Sequence, residues 1–343
     1  MNYQLKQNDM KKYSHKWFLH NNKKAKKRHS LSKKIVSRKK SMLIVEAPED
    51  LRLLENPEET LKFIRQIRKE EYYYPVMQKR KIDVSLKKVK EIDYATISII
   101  KTISVNRKNE QKIMSFKNPE ASAPRKMLKN TGFFKDMYNE FGKKFNGKTN
   151  GEMMTFSKGS GKLKSSDIVE VSNRIKRILS DIGLTGCNLR KTHSRIHSIV
   201  LEICGNAIEW GYSETKNRKW IMGIYRKTDK TAIVTITDIG KGIIETLNKK
   251  WKDKLPYFFG VQDSVTILNQ AFEKKYGSNT GKINRNHGLP AIKKGFQDNL
   301  FSKLYVVTND GFIDFENEHN SKKLSSASKF RGTFYQWSIE NEN

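Results

Sequence analysis

The stretch from Leu201 to Leu289 decides the fold of this chain, because it holds three short motifs in a fixed order. They read Glu202-Ile-Cys-Gly-Asn206, Ile236-Thr-Asp238-Ile-Gly240-Lys-Gly242 and Asn286-His287-Gly288-Leu289. Apolar residues at helical spacing predict a helix over residues 191–210, which carries the first motif. The second motif follows a predicted strand at 230–237, and the third begins a predicted helix at 289–296. Each motif therefore lies at the end of a regular element, where polar groups remain available to a ligand.

The residue types in the first two motifs fit the binding of a nucleoside triphosphate with Mg²⁺. Glu202 and Asn206 are four residues apart, so they share one helix face and offer a carboxylate base and an amide oxygen. Asp238 at a strand end can accept the amino proton of adenine. Gly240 and Gly242 allow the backbone to approach the base. Each motif also has a plainer interpretation, as a solvated helix face and as an ordinary loop.

Together, the motifs resemble the nucleotide site of the GHKL ATPases, the Bergerat-fold superfamily of gyrase, histidine kinases, MutL and the anti-sigma-factor kinases. The resemblance implies that Asn206 holds Mg²⁺ and that Glu202 activates the nucleophile that attacks the phosphate. It also implies that Asp238 binds the adenine base. The other residues that it implies in ATP binding are Gly240, Gly242, Asn286, His287, Gly288, Leu289 and Thr333.

The third motif begins a helix, and backbone N–H groups at a helix N-terminus bind phosphate. Asn286 stands where the family usually has a glycine, and Asn tolerates a positive φ better than most residues. His287 is a phosphate donor in one interpretation and a structural hydrogen bonder in the other. Thr333, in Arg331-Gly332-Thr333, would contact the base-binding Asp, although it also fits an ordinary strand start. The segment between Gly242 and Asn286 would form a lid that closes on ATP.

The surrounding pattern predicts an α+β domain over residues 166–343. Helices are expected at 167–182 and 191–210, followed by a β-hairpin at 219–226 and 230–237. Further helices at 265–275 and 289–296 precede strands at 304–308, 312–315 and 333–339. These strands complete an antiparallel or mixed sheet. A mixed sheet with helices on one face makes an α/β sandwich, which matches the Bergerat fold that the resemblance implies. The glycine-rich stretch 136–165 is predicted as a linker or hairpin.

Residues 41–135 predict a small β-α-β-α-β-α domain. It resembles the STAS-like domains of anti-sigma-factor antagonists, because Ile92-Asp93 precedes a predicted helix and Gly132-Phe133 follows the last one. In that family a Ser two residues after the Asp accepts a phosphoryl group, whereas this chain has Ala95, with Thr96 and Ser98 nearby. A scaffold or interaction role is therefore favoured over that of a phosphorylated substrate within the same chain.

The charge is strongly positive, with a formal net charge of +32 over 343 residues. The first 40 residues form a basic tail with 14 Lys or Arg and one acidic residue, Asp9. Such an excess favours a polyanion partner, although a solvated arm that aids solubility is the alternative. Two cysteines cannot build a disulfide framework. Neither a membrane span nor a signal peptide is predicted, so a cytoplasmic location is expected.

The sequence thus predicts a Mg²⁺-dependent GHKL-type ATPase that acts as a nucleotide-driven switch in a regulatory or defence-type complex. Its expected partners are ATP, a protein or a second copy of the chain, and nucleic acid through the basic tail and surface. One alternative is a serine/threonine protein kinase like the anti-sigma-factor kinases. A second is a basic nucleic-acid-binding module with a vestigial ATP site. A two-component histidine kinase is disfavoured, since no four-helix phosphoacceptor domain precedes the ATP domain.

Overall fold

The computed structural model describes residues 42–73, 81–109, 113–135, 149, 151–157, 163–208, 219–250, 263–273 and 288–341. The basic tail 1–40, Asn286, His287 and the lid segments 251–262 and 274–287 lie outside these residues. The described chain forms an N-terminal unit, residues 42–135, and a C-terminal unit, residues 149–341. Both units combine helices with sheets, so the α+β class predicted from the sequence is confirmed.

The C-terminal unit is built on a seven-stranded sheet. Along the chain its strands are β6 (Gly151–Ser157), β7 (Lys219–Arg226), β8 (Thr231–Asp238), β9 (Ser302–Asn309), β10 (Gly311–Asp314), β11 (Lys322–Lys323) and β12 (Phe330–Glu340). Their order in the sheet is β11-β10-β9-β12-β8-β7-β6. The predicted hairpin is present as the antiparallel pair β7–β8.

The prediction of a mixed sheet is wrong for this unit, because every pair among its described strands is antiparallel. Strands β8 and β9 run in the same direction and would form a parallel pair if they were neighbours. The last strand, β12, inserts between them and runs antiparallel to both. The placement of this final strand cannot be inferred from local patterns, and it decides the type of the sheet.

The helices of the C-terminal unit cover one face of its sheet. They are α4 (Ser165–Asp181), α5 (Gly186–Asn206), α6 (Ile243–Lys250), α7 (Ser264–Phe272) and α8 (Gly288–Gln297). Their apolar sides pack on alternate residues of the strands, such as Ala232, Val234 and Ile236 of β8. Burial of this apolar surface is the main stabilising term of the unit.

The N-terminal unit consists of β1 (Met42–Glu46), β2 (Asp50–Leu51), α1 (Pro57–Tyr73), β3 (Lys81–Ser85), β4 (Glu91–Ile92), α2 (Tyr94–Asn109), β5 (Ile113–Lys117) and α3 (Ser122–Asn130). Its strands form a three-stranded parallel sheet in the order β1-β3-β5 and a small parallel pair, β2–β4. Apart from the two-residue strands β2 and β4, strands and helices alternate, as the sequence predicts. Parallel neighbours require such crossovers, because a short turn cannot connect them.

The N-terminal unit packs on the sheet face opposite to the helices of the C-terminal unit. Side chains of α2 and of this face share one apolar core, in which Ile100 and Ile103 join Ile239 and Phe334. Polar contacts cross the same interface. The hydroxyl groups of Ser98 and Thr237 lie 2.7 Å apart, and both residues are fully buried. The central sheet is therefore covered on both faces.

Strand β6 lies inside the stretch that the sequence predicts as a linker or hairpin. Met153 packs toward the N-terminal unit and Met154 toward the helices, whereas Thr155 is exposed. The adjacent apolar residues Met153 and Met154 interrupt the alternation that marks a half-exposed strand. Separately, none of the described helices is long and apolar enough to cross a lipid bilayer.

Candidate functional site

The C-terminal end of α5 carries Glu202 and Asn206 on its outer side. The opposite side of this helix is buried in the core through Ile196, Ile199, Val200, Ile203 and Cys204. Glu202 is exposed and Asn206 is half-buried. The apolar stripe that anchors α5 thus turns the carboxylate and the carboxamide toward solvent.

Gly288, the first residue of α8, lies directly against these two side chains. A Cβ atom at this position would stand 2.7 Å from Asn206 Nδ2 and 3.4 Å from Glu202 Oε2. Only a glycine permits such a close approach without displacing the carboxamide. The structure therefore brings together three predicted site residues from two separate motifs. The next predicted site residue, Leu289, is half-buried and packs against the core under the helices.

Asp238 ends β8 and is nearly fully buried. It lies opposite Thr333 of β12 in the strand register, and Thr333 forms hydrogen bonds to the Asp238 carboxylate. The backbone N–H of Gly240 donates to Asp238 Oδ1 over 2.7 Å. Since side chains alternate along a strand, Asp238 follows Val234 and Ile236 on the helix-covered face. This face also carries α5 and α8.

Burial raises the pKa of Asp238 to about 6. Hydrogen bonds from Gly240 and Thr333 and the positive charge of Arg68 act in the opposite direction, because they favour the ionised form. The carboxylate therefore carries its charge at neutral pH but remains in a desolvated position. A buried, ionised acceptor of this kind can recognise the amino group of a base.

The pKa of Asp238 gives a stability prediction for the Asp238→Asn variant. The folded state holds the Asp238 proton more tightly than the unfolded chain, whose pKa is 3.8. This contribution to stability is complete below the unfolded pKa and is lost as the pH rises through the folded pKa. Asn is neutral throughout. We expect the free energy of unfolding of Asp238→Asn, relative to the parent, to rise by about 3 kcal/mol between about pH 3 and pH 7.

Urea denaturation of both proteins across this pH range measures the difference. Asp229→Asn is the matched control, because it removes the same charge from the exposed turn between β7 and β8. A difference between Asp238→Asn and the parent that does not change with pH would contradict the raised pKa.

Thr308 and Asn309, which the sequence motifs did not indicate, hold the glycine loop after Asp238 in place. Gly242 has φ +87, and a Cβ atom there would stand 2.4 Å from Asn309 Oδ1. Asn309 Oδ1 accepts from the Ile244 N–H over 3.0 Å, and Asn309 Nδ2 donates to the Lys241 carbonyl over 2.9 Å. Thr308 Oγ1 accepts from the Ile243 N–H over 2.9 Å. These contacts fix the start of α6, and the only sequence signal was a polar pair ending the apolar strand β9.

The N-terminal unit buries the position that a phosphoacceptor would occupy. Ala95, Thr96 and Ser98 are all fully buried. Asp93 accepts hydrogen bonds from the Thr96 and Leu54 backbone N–H groups and so caps the start of α2. Thr96 Oγ1 accepts from the Leu53 N–H over 3.1 Å. These groups therefore stabilise the helix start and the interface between the units.

Comparison with protein-family models and with curated proteins found no match to this chain. The functional assignment therefore rests on the motifs and on their geometry.

Proposed function

We propose that the C-terminal unit binds Mg²⁺–ATP in a Bergerat-type fold and hydrolyses it, and that the nucleotide state switches the conformation of the protein. One observation carries this proposal. Glu202, Asn206 and Gly288 converge from α5 and α8, and the buried Asp238–Thr333 pair lies on the same covered face of the sheet. The two groups supply the two ends of a nucleotide site, one for the phosphates and one for the base.

The phosphate end has donors and ligands of the required kinds. The first N–H groups of α8 have no partner within the helix, and the helix dipole favours an anion there. Asn206, whose amide nitrogen lies against Gly288, would hold Mg²⁺ through its amide oxygen. When bound, Mg²⁺ neutralises phosphate charge during attack on the terminal phosphorus. Glu202, exposed beside Asn206, would orient and deprotonate the attacking water.

The base end is supported by the environment of Asp238. Its carboxylate is fixed by Gly240 and Thr333 and is ionised at neutral pH. A desolvated acceptor that is fixed in place discriminates against a base lacking the matching donor, because the carboxylate would then miss the hydrogen bond that the amino group supplies. We therefore expect ATP to be preferred over GTP.

The N-terminal unit, which we interpret as STAS-like, supplies the body on which a nucleotide switch can act. It packs on the back of the same sheet through α1 and α2. A kinase that phosphorylates this unit near Ala95 is disfavoured, because Thr96 and Ser98 are buried in the interface. Phosphoryl transfer to a separate partner stays open and differs from hydrolysis only in the acceptor.

Incubation of the full chain with γ-labelled ATP and Mg²⁺ tests the reaction class. Phosphate release and protein labelling are followed in parallel, with and without chelator. We expect release of labelled phosphate that needs Mg²⁺, without accumulation of labelled protein. Labelled protein in place of phosphate would establish the kinase alternative. Neither product, together with salt-sensitive binding to DNA or RNA, would establish the nucleic-acid module and overturn our proposal.

A further inference from the structure

Arg68 extends from the N-terminal unit to the back of the proposed base site. It lies on α1 and is only 2% exposed. Its guanidinium donates to the Arg331 carbonyl over 2.5 Å and to the Ile239 carbonyl over 3.2 Å. The ring centroid of Phe330 lies 6.0 Å from the guanidinium carbon. A buried cation therefore crosses between the units and ends on two backbone carbonyls.

Those two carbonyls flank the residues that would recognise adenine. Ile239 directly follows Asp238, the last residue of β8, and Arg331 precedes Thr333 by two residues on β12. Asp238 and Thr333 face each other in the register of these neighbouring strands. The planar guanidinium presents several N–H donors in a fixed arrangement, so one side chain can hold both strand ends at once.

We propose that Arg68 is a positioning residue for the Asp238–Thr333 pair, so that the base end of the nucleotide site is completed by the N-terminal unit. The inference rests on the proposed function, because it gives the pair its role in binding ATP. It adds that the site depends on the contact between the units. A partner that displaces α1 would then change the affinity for ATP.

The charge of Arg68 acts on the same pair. It favours the ionised form of Asp238, whereas burial favours the protonated form. Among the described residues, the titratable groups set against Asp238 are Arg68 from α1 and Tyr335 from β12. Loss of the Arg68 charge therefore raises the pKa of Asp238. On acidification, the variant should therefore lose ATP affinity at a higher pH than the parent does.

Arg65 provides a matched control on the same helix. It lies three residues before Arg68 and donates to the Ser326 carbonyl across the same interface. Arg65→Met makes the same change of charge and removes a contact between the units, but that contact ends away from β8 and the Asp238–Thr333 pair. A general loosening of the interface would affect both variants, whereas a positioning role affects Arg68→Met alone.

The experiment measures the Kd for ATP in the presence of Mg²⁺, across pH, for the parent, Arg68→Met, Arg68→Lys and Arg65→Met. We expect Arg68→Met to weaken ATP binding about tenfold at neutral pH. The loss of affinity on acidification should occur at a higher pH than in the parent. Arg68→Lys keeps the charge but loses the planar guanidinium that can hold both carbonyls at once. This variant should therefore bind ATP several-fold more weakly than the parent, with the pH profile of the parent. Arg65→Met should stay within about twofold of the parent. Protonation of ATP itself is common to all four proteins and cancels in the comparison.

The outcomes separate this inference from the proposed function. If the parent does not bind ATP, the proposed function fails. If the parent binds and all variants match it in affinity and pH profile, the role of Arg68 is overturned while the proposed function stands. Equal weakening in Arg65→Met and Arg68→Met would also overturn it. Should Arg68→Met fail to fold, Arg68→Lys decides, since parental affinity there contradicts the positioning role.

Hydrogen exchange at the Gly240 amide without nucleotide should be faster in Arg68→Met and unchanged in Arg65→Met.

Discussion

Replacing Glu202 with Gln is expected to lower the rate of ATP hydrolysis by about 100-fold or more while the Kd for ATP changes little. The carboxylate is exposed beside Asn206 and lies against the start of α8. A glutamine keeps the shape of the side chain but cannot accept the proton of the attacking water. Phosphate release under saturating ATP and an equilibrium titration of ATP separate the two effects.

Glu170→Gln is the control for this experiment. Glu170 lies on α4 and pairs with Arg174 on the surface, so its loss changes the charge without touching the site. We expect this variant to hydrolyse ATP at the parental rate. A parental rate in Glu202→Gln would show that Glu202 is not the base. A large loss of ATP affinity would instead assign it to binding.

The arrangement of the site follows from the sequence to a large extent, because its signals are local. The apolar stripe of α5 fixes which side of the helix faces the core, and this places Glu202 and Asn206 together on the outside. Asp238 ends an apolar strand, so its position at the C-terminal end of that strand also follows from a short pattern. The approach of Gly288 to Asn206 connects segments far apart in the chain, and here only the family resemblance predicts it.

The contact between the two units could not be predicted, because its signals lie on distant segments. Thr235 and Thr237 give β8 an alternation that is typical of a strand with one solvated face. In the structure both are fully buried, and the hydroxyl of Ser98 on α2 bonds with theirs. Pairing of polar groups across an interface leaves no trace in local periodicity. The role of Arg68 could not be predicted for the same reason, because its side chain donates to backbone carbonyls on distant segments.

The support of the glycine loop was hidden for a related reason. Asn309 adopts a left-handed conformation with φ 54 and uses its side chain to cap a helix about 65 residues earlier in the chain. N-caps are normally sought just before the helix that they stabilise. A cap supplied by another strand becomes visible only when β9 is placed beside the loop. Residues of this kind position a site but lie outside its sequence motifs, so a motif search does not find them.

Replacing Asn206 with Ala is expected to weaken Mg²⁺-dependent ATP binding by at least about 10–100-fold, since even indirect supports of a metal ligand have effects of this size. The amide oxygen is the proposed protein ligand of the ion, and alanine offers no substitute. The fold should persist, because Asn206 is half-buried at the end of α5 and outside the apolar core. Asn188→Ala makes the same change in the first turn of that helix, on an exposed residue, and should bind ATP like the parent.

The most direct test is a titration of ATP into the full chain, with Mg²⁺ and with chelator, for the parent and for Asn206→Ala. We predict saturable binding by the parent that is much tighter with Mg²⁺ and is competed by GTP only weakly. In Asn206→Ala, Mg²⁺ should no longer strengthen binding. Parental behaviour of Asn206→Ala would contradict the metal role. Absence of ATP binding by the parent, in a protein shown to be folded, would contradict the account as a whole.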